Sequence, residues 1–233
     1  MGEKQAIIEA RGQAYLRIPV RTHVLTAADR IEEVVAAYAL PLARPGDIIF
    51  ISEKAVAATQ GRAIPLEKIR PGFWARLLCR FVRKVSYGIG LGIPETMEMA
   101  IREVGLWRIL LAAFIGALGK LLGRRGDFYR VAGRAVAAID GPTPYTLPPY
   151  NTCVVLGPKD PEKVACRIAA HVGLPVAIVD INDLGGTVLG ASPGVENDLL
   201  VAILRDNPLG QGAQQTPIGL IRAVSAAAVT GVS

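Results

Sequence analysis

The chain has 233 residues and a mass of 24.7 kDa, with 51% hydrophobic and 20% charged residues and a mean hydropathy of +0.36. That length buries a sizeable core in one large or two small domains without a disulfide or metal staple, and the composition excludes a disordered chain. The formal charge of +6 is unevenly spread: between Arg62 and Arg134, 14 Lys or Arg face 5 Asp or Glu, leaving −3 for the remainder. A basic stretch of this kind holds an anionic ligand, a nucleic acid or a lipid surface. Its aromatics fall within apolar patterns and not at the alternate positions of a stacking platform, so the expected ligand is a small phosphorylated molecule and not nucleic acid.

Taken in order, Met1 to Arg11 is charged and lacks the apolar core of a signal peptide, which makes the expected address cytoplasmic. Ala14 to Val20 reads as a strand. Thr26 and Asp29 form a capping box ahead of Ile31, Val34 and Val35 at helical spacing. After the turn Arg44-Pro45-Gly46-Asp47, Ile48 to Ile51 is an apolar strand, and Ser52-Glu53-Lys54 opens a short helix ending at Gln60-Gly61. From Pro65 to Gly126 the chain is helical. Phe73, Leu77, Leu78 and Phe81 share one helix face, Pro94 starts a second helix, and Leu106 to Leu122 forms a third that stops at Gly123. Ile109 to Gly119 is uncharged and about eleven residues long, well short of the roughly twenty that span a bilayer, so it reads as a helix buried in a core or subunit interface, with a membrane-surface anchor as the lesser reading.

The last hundred residues alternate strand and helix. Val136 to Ile139, Thr152 to Leu156 and Val176 to Val179 read as strands. Asp160-Pro161 caps a helix running to His171, Val195 to Leu204 reads as a helix, and Ile218 to Ile221 is apolar and extended. Cys79, Cys153 and Cys166 are expected to be buried thiols.

Chemistry concentrates at strand ends. Asp180-Ile181-Asn182-Asp183-Leu184-Gly185-Gly186 delivers Asp180, Asn182 and Asp183 into a glycine turn; these hard oxygen donors suit magnesium or manganese, or else they close an Asx turn. Asp140 follows its expected strand in the same way. Gly88 and Gly90, within Tyr87-Gly88-Ile89-Gly90-Leu91-Gly92 and beside Arg83 and Lys84, make a phosphate cradle or a hinge. Gln214, in the loop Gly210-Gln211-Gly212-Ala213-Gln214-Gln215, offers an amide to a base or carboxamide, or belongs to a plain loop. No Ser-His-Asp or Cys-His pattern is present to support nucleophilic catalysis.

Gly46-Asp47-Ile48-Ile49-Phe50-Ile51-Ser52-Glu53-Lys54, continuing to Gln60-Gly61-Arg62, resembles the opening of the gamma-glutamyl ligases of the deazaflavin coenzyme F-four-twenty. Later landmarks come in order: Ile139-Asp140, the strand-end Asp180, and the Gly-rich, Pro and apolar-Arg stretch from Gly210 to Arg222. The resemblance covers roughly the first 65 and last 100 residues. It implies an α+β fold with a mixed-sheet core of residues 1–65 and 130–223, a helical basic insertion at 66–129, a tail at 224–233, and a homodimer. It also implies that GTP phosphorylates a substrate carboxylate and that the amine of glutamate then attacks the acyl phosphate. Asp140 and Asp180 would hold manganese or magnesium, with Asp183 beside them. Lys54 and Arg62 would act as catalytic cations facing phosphate or an anionic substrate. The residues' own chemistry, and not the resemblance, makes Ser52, Gly88, Gly90, Asn182 and Gln214 the candidates to line a nucleotide. The chain departs from the family at Ala137-Ala138-Ile139 before the first aspartate and at Ile181 and Gly185-Gly186 after the second. A non-catalytic relative binding an anionic ligand, and an oligomeric or membrane-surface module built on the apolar helix, are the alternatives.

Overall fold

A computed structural model describes residues 5–82, 90–124, 126–182, 185–210 and 214–224. The fold is α+β, and the chain divides into two compact units, 1–60 with 158–233 and the intervening 61–157. Residues 130–157, expected in the sheet core, therefore fall in the second unit.

The first unit is built on a six-stranded mixed sheet. Its strands are β1 (Ile7–Ala10), β2 (Gln13–Val20), β3 (Ile48–Ser52), β6 (Val176–Asn182), β7 (Gly185–Ala191) and β8 (Ile218–Val224), in the spatial order β1-β2-β8-β3-β6-β7. Only β3 and β6 run parallel; every other neighbour is antiparallel. Ile49, Phe50 and Ile51 are completely buried, as an unbroken apolar run demands when both faces of a central strand are covered. Ile49 and Ile51 pack with α1 (Ile31–Tyr38), α2 (Glu53–Thr59) and α8 (Pro161–Val172), while Phe50 packs with α9 (Asn197–Ile203) on the other face.

Two ion pairs, each with one fully buried partner, hold this sheet. Arg222 grips Asp47 in a two-pronged contact, Nε to Oδ1 at 2.9 Å and Nη2 to Oδ2 at 2.7 Å. The Asp47 carboxylate also accepts the Arg44 N–H, and its grip on the guanidinium raises the Arg222 pKa above its ordinary value. The Arg17 side chain is wholly buried and pairs with Asp206, with Nη1 also donating to the Ile203 carbonyl at 3.0 Å.

Among the described residues the second unit joins a short antiparallel ribbon, β4 (Ala63–Pro65) with β5 (Cys153–Val155), to the α-helices α3 (Phe73–Leu78), α4 (Pro94–Val104), α5 (Leu106–Leu121), α6 (Asp127–Ala132) and α7 (Arg134–Ala137). Ile69, Met97, Ile109, Val136 and Val154 are among the residues of its own core. Val136 to Ile139, expected as a strand, is instead the end of α7 and a turn, because Val136 and Ile139 both serve this core at helical spacing. Cys79 and Cys153 are buried as expected, but Cys166 is exposed on α8.

Gly219 on β8 lies opposite Phe50 on β3, and a Cβ at Gly219 would overlap the phenyl ring. Gly219→Ala should cost about 1–3 kcal/mol in urea unfolding, and adding Phe50→Leu should recover part of the loss because the two positions share one space. Simple additivity of the two changes would contradict this packing.

Candidate functional site

Parallel pairing places Ser52, the last residue of β3, directly beside Val179, and β6 runs on to Asn182 paired with β7. Strand alternation then sorts the residues at these two ends. Phe50, Ser52, Val179 and Ile181 occupy one face, and Asp180 and Asn182 occupy the other, which also carries α2. Ser52 ends the strand and caps α2: its backbone N–H donates to the Pro217 carbonyl at 2.9 Å, and its Oγ accepts the Lys54 N–H at 3.3 Å. Lys54 Nζ lies 3.1 Å from Oε1 of the buried Glu53, whose negative charge suits the first turn of a helix.

On the Ser52 face lies a cleft of about 40 Å³, floored by Phe50, Val179 and Ile181 and walled by residues 207–210. It has room for a few waters, not for a nucleotide. Asn207 is 2% exposed, adopts a left-handed backbone with φ 52°, and its Nδ2 has no hydrogen-bond partner among the described residues. An unanswered buried amide donor is costly, and it suits a ligand or water oxygen in the cleft. The wall is tied back by Thr216 Oγ1 donating to the Leu209 carbonyl at 2.8 Å, and the Gln214 side chain packs against Gly210.

Of the residues expected to act, Ser52, Lys54, Asp180, Asn182 and Gln214 belong to the first unit, and Arg62, Gly90 and Asp140 to the second. Gly88 and Asp183 lie outside the described residues. Arg62 is buried, donating to the Gly157 carbonyl at 2.5 Å and pairing with Glu103 at 2.7 Å, so its charge is balanced within its own unit. Asp140 is exposed and exchanges both backbone hydrogen bonds with Val155 at 2.9 Å. Gly90 adopts φ +48°, in the left-handed region. Sequence reading missed Glu53 and Asn207. The run Asp206-Asn207-Pro208-Leu209-Gly210 signals a turn, but nothing in it announces that the amide is buried.

Among the described residues no three His, Cys, Asp or Glu side chains come together in a set that could hold a metal ion. The donors that fit magnesium or manganese are the oxygens of Asp180 and Asn182, two positions apart on one face of β6. Compared with known proteins, the chain matches no protein-family model and no curated protein sequence.

Ser52→Ala removes the α2 cap and should lower stability by about 1 kcal/mol in urea unfolding. Asp180→Asn, at a partly exposed strand end, should leave the unfolding midpoint unchanged. A large loss from Asp180→Asn would make that carboxylate a structural group.

Proposed function

We propose that the chain is a cytoplasmic, nucleotide- and metal-dependent ligase that joins glutamate or a similar amine to a carboxylate of a phosphorylated substrate. The observation that supports this reading lies at the carboxyl end of β3, where α/β sheets bind ligands. The Lys54 helix start follows it, and Asp180 of β6 lies one residue past the Ser52–Val179 pair on the face that carries α2, with Ser52 on the other face. The resemblance of Gly46 to Arg62 and of Asp180 to the deazaflavin-coenzyme glutamate ligases supplies the reaction. The γ-phosphoryl group of GTP passes to a carboxylate oxygen, giving an acyl phosphate and GDP. The amine nitrogen then bonds to the acyl carbon, the carbon–oxygen bond to phosphate breaks, and inorganic phosphate leaves as the amine loses a proton.

In this reading Asp180 and Asn182 would hold a divalent ion, which would supply positive charge beside the transferring group when bound. Lys54, whose side chain is 39% exposed beyond its contact with Glu53, adds a cation at the same strand end. A second reading, a relative that binds a phosphorylated anion without turnover, is favoured by one observation: the guanidinium of Arg62 is already neutralised by Glu103.

Calorimetric titration of GTP and ATP, with and without manganese, separates the two. The ligase reading expects micromolar binding that needs manganese and falls at least tenfold in Asp180→Asn. Salt-sensitive binding of inorganic phosphate with no nucleotide binding would favour the second reading. An absence of nucleotide binding under every metal condition would refute the ligase.

A further inference from the structure

Apart from Arg108 and Lys120 near its two ends, α5 is apolar all round, yet the second unit buries only one of its sides. Ile109, Ala112 and Gly119 face the core, while Trp107, Leu111, Phe114, Leu118 and Leu121 form a stripe spaced four, three, four and three residues apart along the outer side. Each stripe residue is at least 45% exposed, and Trp107 and Leu121 exceed 80%. The stripe runs for most of a helix about 24 Å long. Phe73, Trp74 and Phe81 on and just after α3 are exposed as well, so both tryptophans of the chain lie on the surface of this unit. An apolar surface of this extent marks a docking face, not a solvated one.

The charge around it selects the occupant. Residues 61–157 carry 14 Lys or Arg against 6 Asp or Glu, a net +8, whereas the rest of the chain is −2. Moreover, Glu98, Glu103 and Asp127 are already engaged by Arg102, by Arg62, and by Arg124 and Arg130. Arg76, Arg80, Arg108 and Lys120 are exposed or half-buried and have no carboxylate partner among the described residues. A second copy of the chain docked through this unit would bring one unit of net charge +8 against another, which electrostatics opposes. An anionic lipid surface satisfies both features: head groups meet the cations, and the acyl boundary takes the tryptophan, phenylalanine and leucine side chains. Among the described residues no single helix is long and apolar enough to cross a membrane, and α4 with α5 passes that test only as a pair bent by 114°. We infer that the second unit docks on an anionic membrane surface with α5 lying in the interface plane.

Vesicles of phosphatidylcholine alone and with about 30% phosphatidylserine, at about 0.1 M salt, test this with the full chain. The expected result is co-sedimentation with the anionic vesicles only, a blue shift of tryptophan emission, and release in about 0.5 M salt. The solvent-facing variant Leu111→Asp with Leu118→Asp should keep its circular dichroism and lose at least tenfold in partitioning. Should that variant fail to fold, Arg80→Gln and Lys120→Gln serve instead, each expected to lower partitioning about fivefold; unchanged partitioning would overturn the inference. Absence of binding to the anionic vesicles would overturn it too, as would concentration-dependent dimerisation, abolished by Leu111→Asp, without vesicle binding.

Discussion

The first unit depends on one pairing problem: β3 is central, and both of its neighbours arrive more than a hundred residues later. β6 completes it in parallel on one edge and β8 in antiparallel on the other. Neither half of the unit has a finished core without the other, so chain-closure entropy must be met before the apolar run at Ile49–Ile51 is covered. The Asp47–Arg222 pair spans that gap at the leading end of β3. Its buried carboxylate would be left uncompensated if the guanidinium were removed, a loss typically of about 3–5 kcal/mol. At the other end of β3 the same pairing sets Ser52 against Val179 and exposes the strand ends on which the functional reading rests.

This arrangement also reassigns some of the sequence's landmarks. Gly46-Asp47 and Arg222 belong to the motifs that resemble the glutamate ligases, yet here Asp47 and Arg222 bind each other. Gly46 takes φ +87°, in the left-handed region a side chain resists, to complete the turn that presents Asp47. Arg62, from the same opening motif, is likewise held by Glu103. These residues keep the scaffold in shape, and the proposed chemistry falls to groups near the carboxyl end of β3 and on β6.

Elements with strong local signals are legible in the sequence. β3 is a two-sided apolar run, α2 has its serine cap, α8 has Pro161 at its first position, and α5 ends before Gly123. Thr26 and Asp29 do bond, but one way and in the turn before α1: Asp29 Oδ2 accepts both the N–H and the hydroxyl of Thr26, the Thr26 Oγ1 accepts the Ala28 N–H, and the residue flanking α1 is Arg30. That turn depresses the Asp29 pKa through the Thr26 backbone N–H and His23. β7 is not legible because Gly185-Gly186-Thr187-Val188-Leu189-Gly190-Ala191 is glycine-rich. Gly190 is required there because a Cβ would strike the backbone at the start of α8, a tertiary constraint that a local pattern does not carry. α7 is mistaken for a strand for a related reason: in four residues, strand and helix periods cannot be told apart. At the site, Asp180 announces itself by following an apolar strand. The buried amide of Asn207 and the outward side of α5 emerge only from the fold.

In the proposed enzyme, ligand and metal meet at the carboxyl ends of β3 and β6. Paramagnetic broadening of backbone amide resonances by substoichiometric manganese, with and without GTP, reads out that meeting, because the ion marks its own location. Broadening should centre on Val179–Asn182 and Ser52–Lys54, strengthen with GTP and disappear in Asp180→Asn. Broadening centred on Glu103 or Asp127 of the second unit, or none at any amide, would contradict that placement.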